Sequence, residues 1–503
     1  MSADRRVLRA LTGLLLALFV STLASTVVST ALPRMLHDLH GSATQYTWVV
    51  TATLLAATAA TPIWGKLADL ISKKVLIQVA TVVFLAGSVA SGLAQNAEQL
   101  IAARAVQGIG VGGLQALVQI AIAAMIPPRE RGKYSGYLSS VTSVSTIGGP
   151  LLGGFIVDTS WLGWRWCFFI GVPFALLALV MLQLTLRLPV TRRDNVKIDY
   201  WGATLITGGV SLLLIWVSFV GDAWPWVSWQ TAAMVGGTLL LLGLATWVET
   251  RVPEPVVPPH ILRQRTTALA ILGSLAAGTA MYGAAVFLSQ YFQISRGHTP
   301  TEAGLLTIPM MAGILVASLV AGRMISRSGR LKPYLITGAV SLTAGFVILG
   351  FVTATTPLWL ISVAMVAIGA GVGMTMQNFV LVVQNTVALT DIGAASATVA
   401  FFRSLGGTIG VAVLGAVLAR QVADGTAAGV PAATAYGDAT GLIFAVSAGV
   451  AVLGIVAAVL LPSITLRTSL DRADALKAAA VAADTADGAP PLDAVRLDDT
   501  RRT

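Results

Sequence analysis

The sequence predicts an all-α polytopic membrane protein with about fourteen transmembrane helices, and three observations carry that prediction. Hydrophobic residues fill 56% of the 503 positions and charged residues only 11%, with a mean hydropathy of +0.82, which is not the balance of a soluble domain. Apolar runs of roughly 20 residues, long enough to cross a hydrocarbon core at about 1.5 Å per residue, recur along the chain with short polar breaks. The 32 lysines and arginines gather in alternate breaks, as the positive-inside rule asks of a multi-span protein.

The first run, 9–31, follows Arg5, Arg6 and Arg9 and is long enough to be read as an uncleaved span rather than a leader. Its hydroxyls at Thr22, Ser25, Thr26, Ser29 and Thr30 form one polar stripe at helical spacing. Spans two (46–64) and three (75–94) flank the basic stretch GKLADLISKK, 65–74. Span four (99–126) contains Arg104, with Gln107, Val111, Gln115 and Gln119 on the same face. A charge inside a span must face protein or water, so Arg104 is expected to have a functional role, or else to tie backbone carbonyls together. Span five (134–157) contains STIGGPLLGG, where Gly149, Gly153 and Gly154 allow close helix approach and Pro150 bends the helix.

Span six (166–186) begins in WRWCFFIGVP, 164–173. Spans seven (200–220) and eight (227–248) are joined by GDAWPWVSW, whose tryptophans suit a membrane interface. The remaining spans fall at 266–291, 302–321, 333–353, 358–385, 395–419 and 440–462. Span twelve presents Gln377, Asn378, Leu381, Gln384 and Asn385 on one face, a candidate cavity-lining surface that helix-to-helix bonding would imitate. Arg403 in span thirteen is the second cation inside a span.

With the N-terminus inside, the inner loops hold Lys66, Lys73, Lys74, Arg129, Arg131, Lys133, Arg187, Arg192, Arg193, Lys197, Arg251, Arg263, Arg265, Arg323, Arg327, Arg330 and Lys332. The outer loops hold only Arg34, Arg165, Arg296 and Arg420. Both termini are therefore expected in the cytoplasm. The same distribution explains the pI near 10 by topology, and no nucleic-acid partner is expected. The single cysteine, Cys167, excludes an intramolecular disulfide framework, and His37, His40, His260 and His298 sit in loops or at span ends. No metal, cofactor or enzymatic constellation is expected.

Internal duplication organises the chain. GKLADLISKK after span two is echoed by GRMISRSGRLK (322–332) after span ten, and GVGGLQ (110–115) by GVGMTM (371–376). Glu130-Arg131-Gly132 then falls opposite Asp391-Ile392-Gly393. Two six-helix bundles, 1–189 and 263–462, separated by an inserted helix pair with linkers (190–262) and followed by a disordered cytoplasmic tail (463–503), are the expected domains.

These motifs resemble the fourteen-span drug:proton antiporter branch of the major facilitator superfamily, the EmrB/QacA type, over nearly the whole chain apart from the tail. The resemblance implies the major facilitator fold, alternating access and protons as coupling ion. It marks Gly65, Asp69, Lys73, Lys74, Gly322, Arg327 and Arg330 as a conformational latch, in which Asp69 sits at a helix N-terminus in one state only. It marks Gly149, Pro150, Gly153 and Gly154 as an antiporter motif. Ser72 stands where the loop signature has glycine, and Ala24 stands where the first span usually carries aspartate. No carboxylate lies at a span centre, so Asp158, Glu302 and Asp69, near span ends, are the coupling candidates beside Arg104.

The expected function is secondary active export of lipophilic small molecules across the cytoplasmic membrane. The cavity is expected to draw on Ser25, Thr26, Ser29, Gln107, Gln115, Gln119, Gln377, Asn378, Gln384 and Arg403, and to prefer neutral, zwitterionic or weakly anionic substrates. Export of lipid or cell-envelope precursors, with a lateral entry at the inserted pair, is the alternative within transport; a receptor or scaffold is the alternative outside it.

Overall fold

The computed structural model of this chain describes residues 3–39, 43–159, 161–186, 199–221, 224–464 and 466. Seventeen helices form over them: α1 (Ala3–Asp38), α2 (Ala43–Leu70), α3 (Lys73–Leu93), α4 (Ala97–Met125), α5 (Pro128–Asp158), α6 (Trp166–Phe169), α7 (Gly171–Thr185), α8 (Tyr200–Phe219), α9 (Trp229–Glu249), α10 (Pro259–Arg263), α11 (Arg265–Gln290), α12 (Pro300–Leu306), α13 (Ile308–Ser328), α14 (Lys332–Leu349), α15 (Leu358–Thr386), α16 (Ile392–Ala427) and α17 (Ala432–Leu460). A π turn, Tyr291–Ser295, prolongs α11. Linker residues 190–198 and the tail from 467 onward lie outside the described residues.

Thirteen segments among the described residues are long and apolar enough to cross a bilayer, so the protein is an all-helical, multi-pass membrane protein. The fifth expected span is not among the thirteen: α5 has 31 residues but is rich in serine, threonine and glycine between 135 and 154. Local chemistry sets several helix starts. Asn96 accepts the Gln99 N–H at 2.8 Å, Asp199 the Gly202 N–H at 2.8 Å and Ser228 the Thr231 N–H at 3.2 Å, each satisfying a donor the helix itself leaves open.

In the first part of the chain α1 packs on α5 and α7, α2 on α4, and α3 on α4 and α7. In the second part α11 packs on α16 and α17, and α13 and α14 both pack on α15. Missing Cβ atoms make the closest of these approaches possible. Alanine at Gly112 would drive a Cβ into the Ala57 carbonyl of α2, and alanine at Gly369 into the Met310 carbonyl of α13. The two sets meet chiefly through α5 on α13 and α2 on α16. The α8–α9 pair leans on α2 and α16 through α8 alone, and only 11% of the α9 span is buried, against 78% of α4. α9 therefore presents its apolar surface to lipid.

The two loop motifs end their helices differently. Gly329 closes α13 with a left-handed φ of 71°, the conformation that favours glycine at this position. Its counterpart after α2 turns without a left-handed residue, Ser72 having φ −56° and ψ 115°, which is how this chain accommodates serine there.

Candidate functional site

Both loop motifs lie at one end of the helix bundle, here called the basic end, and the two helix sets are joined there by polar contacts. Asp69, in the last turn of α2, is 8% exposed and accepts the Gly393 and Ala394 N–H groups, both at 2.8 Å. These are orphan donors of the first turn of α16, so an anion meets the positive end of a helix dipole. Neighbouring glycines permit the approach: a Cβ at Gly65 would overlap Ala397, and one at Gly393 would overlap the Asp69 carboxylate.

Arg131, at the start of α5, is 3% exposed and donates to Gln384 Oε1 at 3.2 Å, to the Ile126 carbonyl at 2.6 Å and to the Ala123 carbonyl. Gln384 in turn donates to Ser396 Oγ at 3.0 Å, and the Lys133 N–H donates to Ser326 Oγ at 3.0 Å. Elements α2, α4, α5, α13, α15 and α16 are thus stitched together at the basic end.

Behind this closure lies a cavity between α5 on one side and α11, α13 and α15 on the other. Four methionines (Met281, Met310, Met311, Met376), three hydroxyl residues (Ser139, Thr142, Thr146) and Gln377 line it, together with Ala285, Ile314 and Val372. Methionine is flexible and polarizable, and the hydroxyls offer hydrogen bonds without charge. No charged side chain lines it among the described residues. A smaller space is lined by Gln119, Arg131, Gln377 and Gln384 and shares Gln377 with the cavity.

The model of the Major Facilitator Superfamily matches residues 14–411 and, in an overlapping match, 272–485. This chain belongs to that superfamily. The facilitator is 32% identical over 490 residues to an uncharacterized MFS-type transporter of Mycobacterium tuberculosis, a match covering 92% of this chain and 71% of the relative. It is 33% identical over 411 residues to the multidrug transporter protein MdtP of Bacillus subtilis, covering 81% and 74%. Multidrug resistance protein 3 of the same organism is 31% identical over 406 residues, covering 80% and 78%. Two solved structures share the fold at low identity. They are the human organic anion transporter MFSD10 (TM-score 0.64, 14% identity, 91% of this chain and 100% of that one) and the proton:xylose symporter XylE (TM-score 0.61, 17%, 92% and 98%).

Gln119, Gln377 and Gln384 come together at the cavity floor. Gln107 does not line either space: it is fully buried, accepts from Arg104 Nη1 and donates to Ser88 Oγ of α3 at 2.7 Å. Arg104, 2% exposed, also donates to the Val49 carbonyl at 3.4 Å and lies 5.9 Å over the Phe168 ring. Gln115 is half-buried, and Asn378 is turned into its own helix, donating to the Met374 carbonyl at 2.6 Å. Arg403 is buried beside α11, whose Gly278 would carry a Cβ into the Arg403 carbonyl, and is absent from the linings of both spaces.

In α1, Ser25 bonds back to the Ser21 carbonyl at 3.0 Å, while Thr26 reaches the Ser145 carbonyl of α5 at 3.1 Å. Gly149 packs directly on Thr26, whereas a Cβ at Gly154 would meet nothing, so close approach belongs to Gly149. Gly153 is buried. The side chains of Ser29, Pro150 and Asp158 lie outside the described residues.

Glu302 sits on the exposed surface, capping α12 together with Thr299 and pairing with His298 at 3.4 Å. Lys74 donates to the Gln183 carbonyl at 2.7 Å, away from Asp69. Lys66, not singled out in the sequence, forms a part-buried ion pair with Glu254 at 2.6 Å. In the second loop motif Gly322 is buried, and the Arg330 N–H donates to Ser328 Oγ at 3.3 Å.

Proposed function

We propose that this facilitator is a proton-driven exporter of lipophilic small molecules, of the fourteen-span drug:proton antiporter branch, acting in the cytoplasmic membrane with both termini cytoplasmic. The observation that carries the reading is the cavity. Its lining suits lipophilic ligands, because methionines, hydroxyls and one amide can re-pack around varied apolar shapes. The relatives described as multidrug transporters support the same substrate class.

Asp69 serves as the latch and as a coupling group in this proposal. Its carboxylate neutralises the start of α16 while the basic end is closed, and its protonation would weaken that hold and favour opening. Asp158 and Glu302 are the outer coupling candidates, with Glu302 the less apt because its carboxylate already caps α12.

Purified protein in proteoliposomes, loaded with a neutral lipophilic fluorophore and given an imposed pH gradient, tests the proposal. Substrate movement that follows the sign of the gradient and collapses with an uncoupler is expected. Movement indifferent to the gradient sinks proton coupling, and no movement of any lipophilic probe sinks the exporter reading. Cysteine labelling of Ser228→Cys from outside intact cells tests the topology; labelling only after permeabilisation overturns it.

A further inference from the structure

Two buried carboxylates meet at the foot of the α8–α9 pair. Asp199 caps α8 and is 7% exposed; Glu249 ends α9 and is 5% exposed. Three of their four oxygens are engaged: Asp199 Oδ1 accepts the Gly202 N–H at 2.8 Å, while Glu249 Oε1 and Oε2 accept the Val256 and Val257 N–H groups at 3.1 and 3.0 Å. The fourth, Asp199 Oδ2, is buried with no hydrogen-bond partner. It borders the space over Gly202, where an added Cβ would overlap it and would lie 2.7 Å from Glu249 Oε1. Glycine at 202 thus leaves room for two carboxyl groups to face each other.

We propose that Asp199 and Glu249 form a proton-binding site, in which one solvent proton on Asp199 Oδ2 is shared with Glu249 Oε1 and holds the 250–257 linker against α2. Two carboxylates buried side by side cannot both be ionised cheaply, and a shared proton gives the orphan oxygen its partner. Facing charges come from Lys66 of α2, in contact with Glu254 of the linker, while α16 contributes Phe401, Phe402 and Leu405 to the apolar packing around α8. Loss of the proton as pH rises leaves two like charges and loosens the Glu249 grip on Val256 and Val257. Lys66 lies three residues before Asp69, so the linker touches the latch helix itself. The site stands apart from the efflux reading, because its test needs no transport.

Infrared difference spectra of the purified full-length protein, wild type minus Asp199→Asn and wild type minus Glu249→Gln, test proton occupancy. A protonated-carboxyl band present in wild type at about pH 6 and lost in both variants is expected. Absence of the band at that pH, or its survival in both variants, overturns the proposal. Its displacement by sodium or calcium ions at constant pH overturns it in favour of a metal site.

Hydrogen exchange at Val256 and Val257, corrected for intrinsic rate, gives a second readout. Protection in wild type should fall at least tenfold as pH rises through the band's midpoint. Asp199→Asn, whose amide keeps the cap and donates to Glu249 as the acid would, should stay protected throughout. Equal pH dependence in wild type and Asp199→Asn refutes the shared proton.

Discussion

Replacing Asp69 by asparagine should open the basic end, and the size of the effect follows from two hydrogen bonds. The carboxylate accepts the Gly393 and Ala394 N–H groups, each at 2.8 Å. Asparagine keeps one acceptor oxygen but turns an NH2 group toward the second N–H, and it loses the charge opposite the α16 dipole. Hydrogen bonds to a charged group contribute about 1.5–3 kcal/mol each, and an anion at a partly buried helix start up to ~2 kcal/mol. Loss of one bond and the charge therefore costs the closed state about 2–4 kcal/mol, a shift in the open-to-closed ratio of roughly thirty- to several hundred-fold. Maleimide labelling of Ser139→Cys, on the buried cavity wall, reads that ratio against the buried native Cys167. Labelling from the basic end should rise by at least tenfold in the Asp69→Asn background, while a Lys133→Cys/Ser326→Cys crosslink should form less readily. Unchanged labelling and crosslinking would refute the idea that this contact holds the bundle closed.

Further predictions concern the spans. Arg104→Ala should abolish transport while the protein still reaches the membrane, and Arg104→Lys should rescue poorly, because a point charge cannot address Val49, Gln107 and the Phe168 ring at once; full activity of the alanine variant, in a flux assay with expression control, would show the arginine to be incidental. Gln377→Ala should alter relative resistance among substrates, since Gln377 lines the cavity, whereas Gln384→Ala should lower resistance to all of them alike by unlinking Arg131 from Ser396; reversed patterns in a panel of growth-inhibition assays would exchange the two roles.

Much of the fold is legible because bilayer thickness imposes a length on every apolar run. Span five is the hard case, since its serines, threonines and glycines serve helix contacts at Thr26 and Leu319 and dilute its hydropathy. The site is less legible. Gln107 and Gln119 share a stripe on α4, but α4 is enclosed on most sides, so a polar stripe cannot say which neighbour it faces. One turns to α3 and the other to the cavity floor. The capping role of Glu302 is legible, since Thr299, Pro300 and a glutamate three residues after the threonine spell a capping box. The Lys66–Glu254 pair joins positions 188 residues apart, and no local pattern marks it.

Charge preference can be argued from where an added carboxylate would sit. Ala24, in the first span, is 8% exposed within an apolar cluster with Val20, Leu117 and Ile120. An aspartate there would be buried among side chains that cannot solvate it, so it would hold its proton and cost several kcal/mol of stability if ionised. Thr142 differs: it is half-buried on the cavity wall, its hydroxyl bonded only to the Leu138 carbonyl of its own helix at 2.9 Å. A carboxylate at that position can meet a bound cation directly. An ion pair partly shielded by the substrate, offset by desolvation, contributes about 1–2 kcal/mol, which corresponds to a five- to thirtyfold gain. Thr142→Asp should therefore raise the ratio of lipophilic-cation to neutral-substrate efflux by about tenfold, measured in the same proteoliposomes with paired probes. Ala24→Asp should leave that ratio near the parent value and lower the melting temperature. Strong export of dications by the parent, or an unchanged ratio in Thr142→Asp, would refute the claim that this cavity selects against cations for want of an anion.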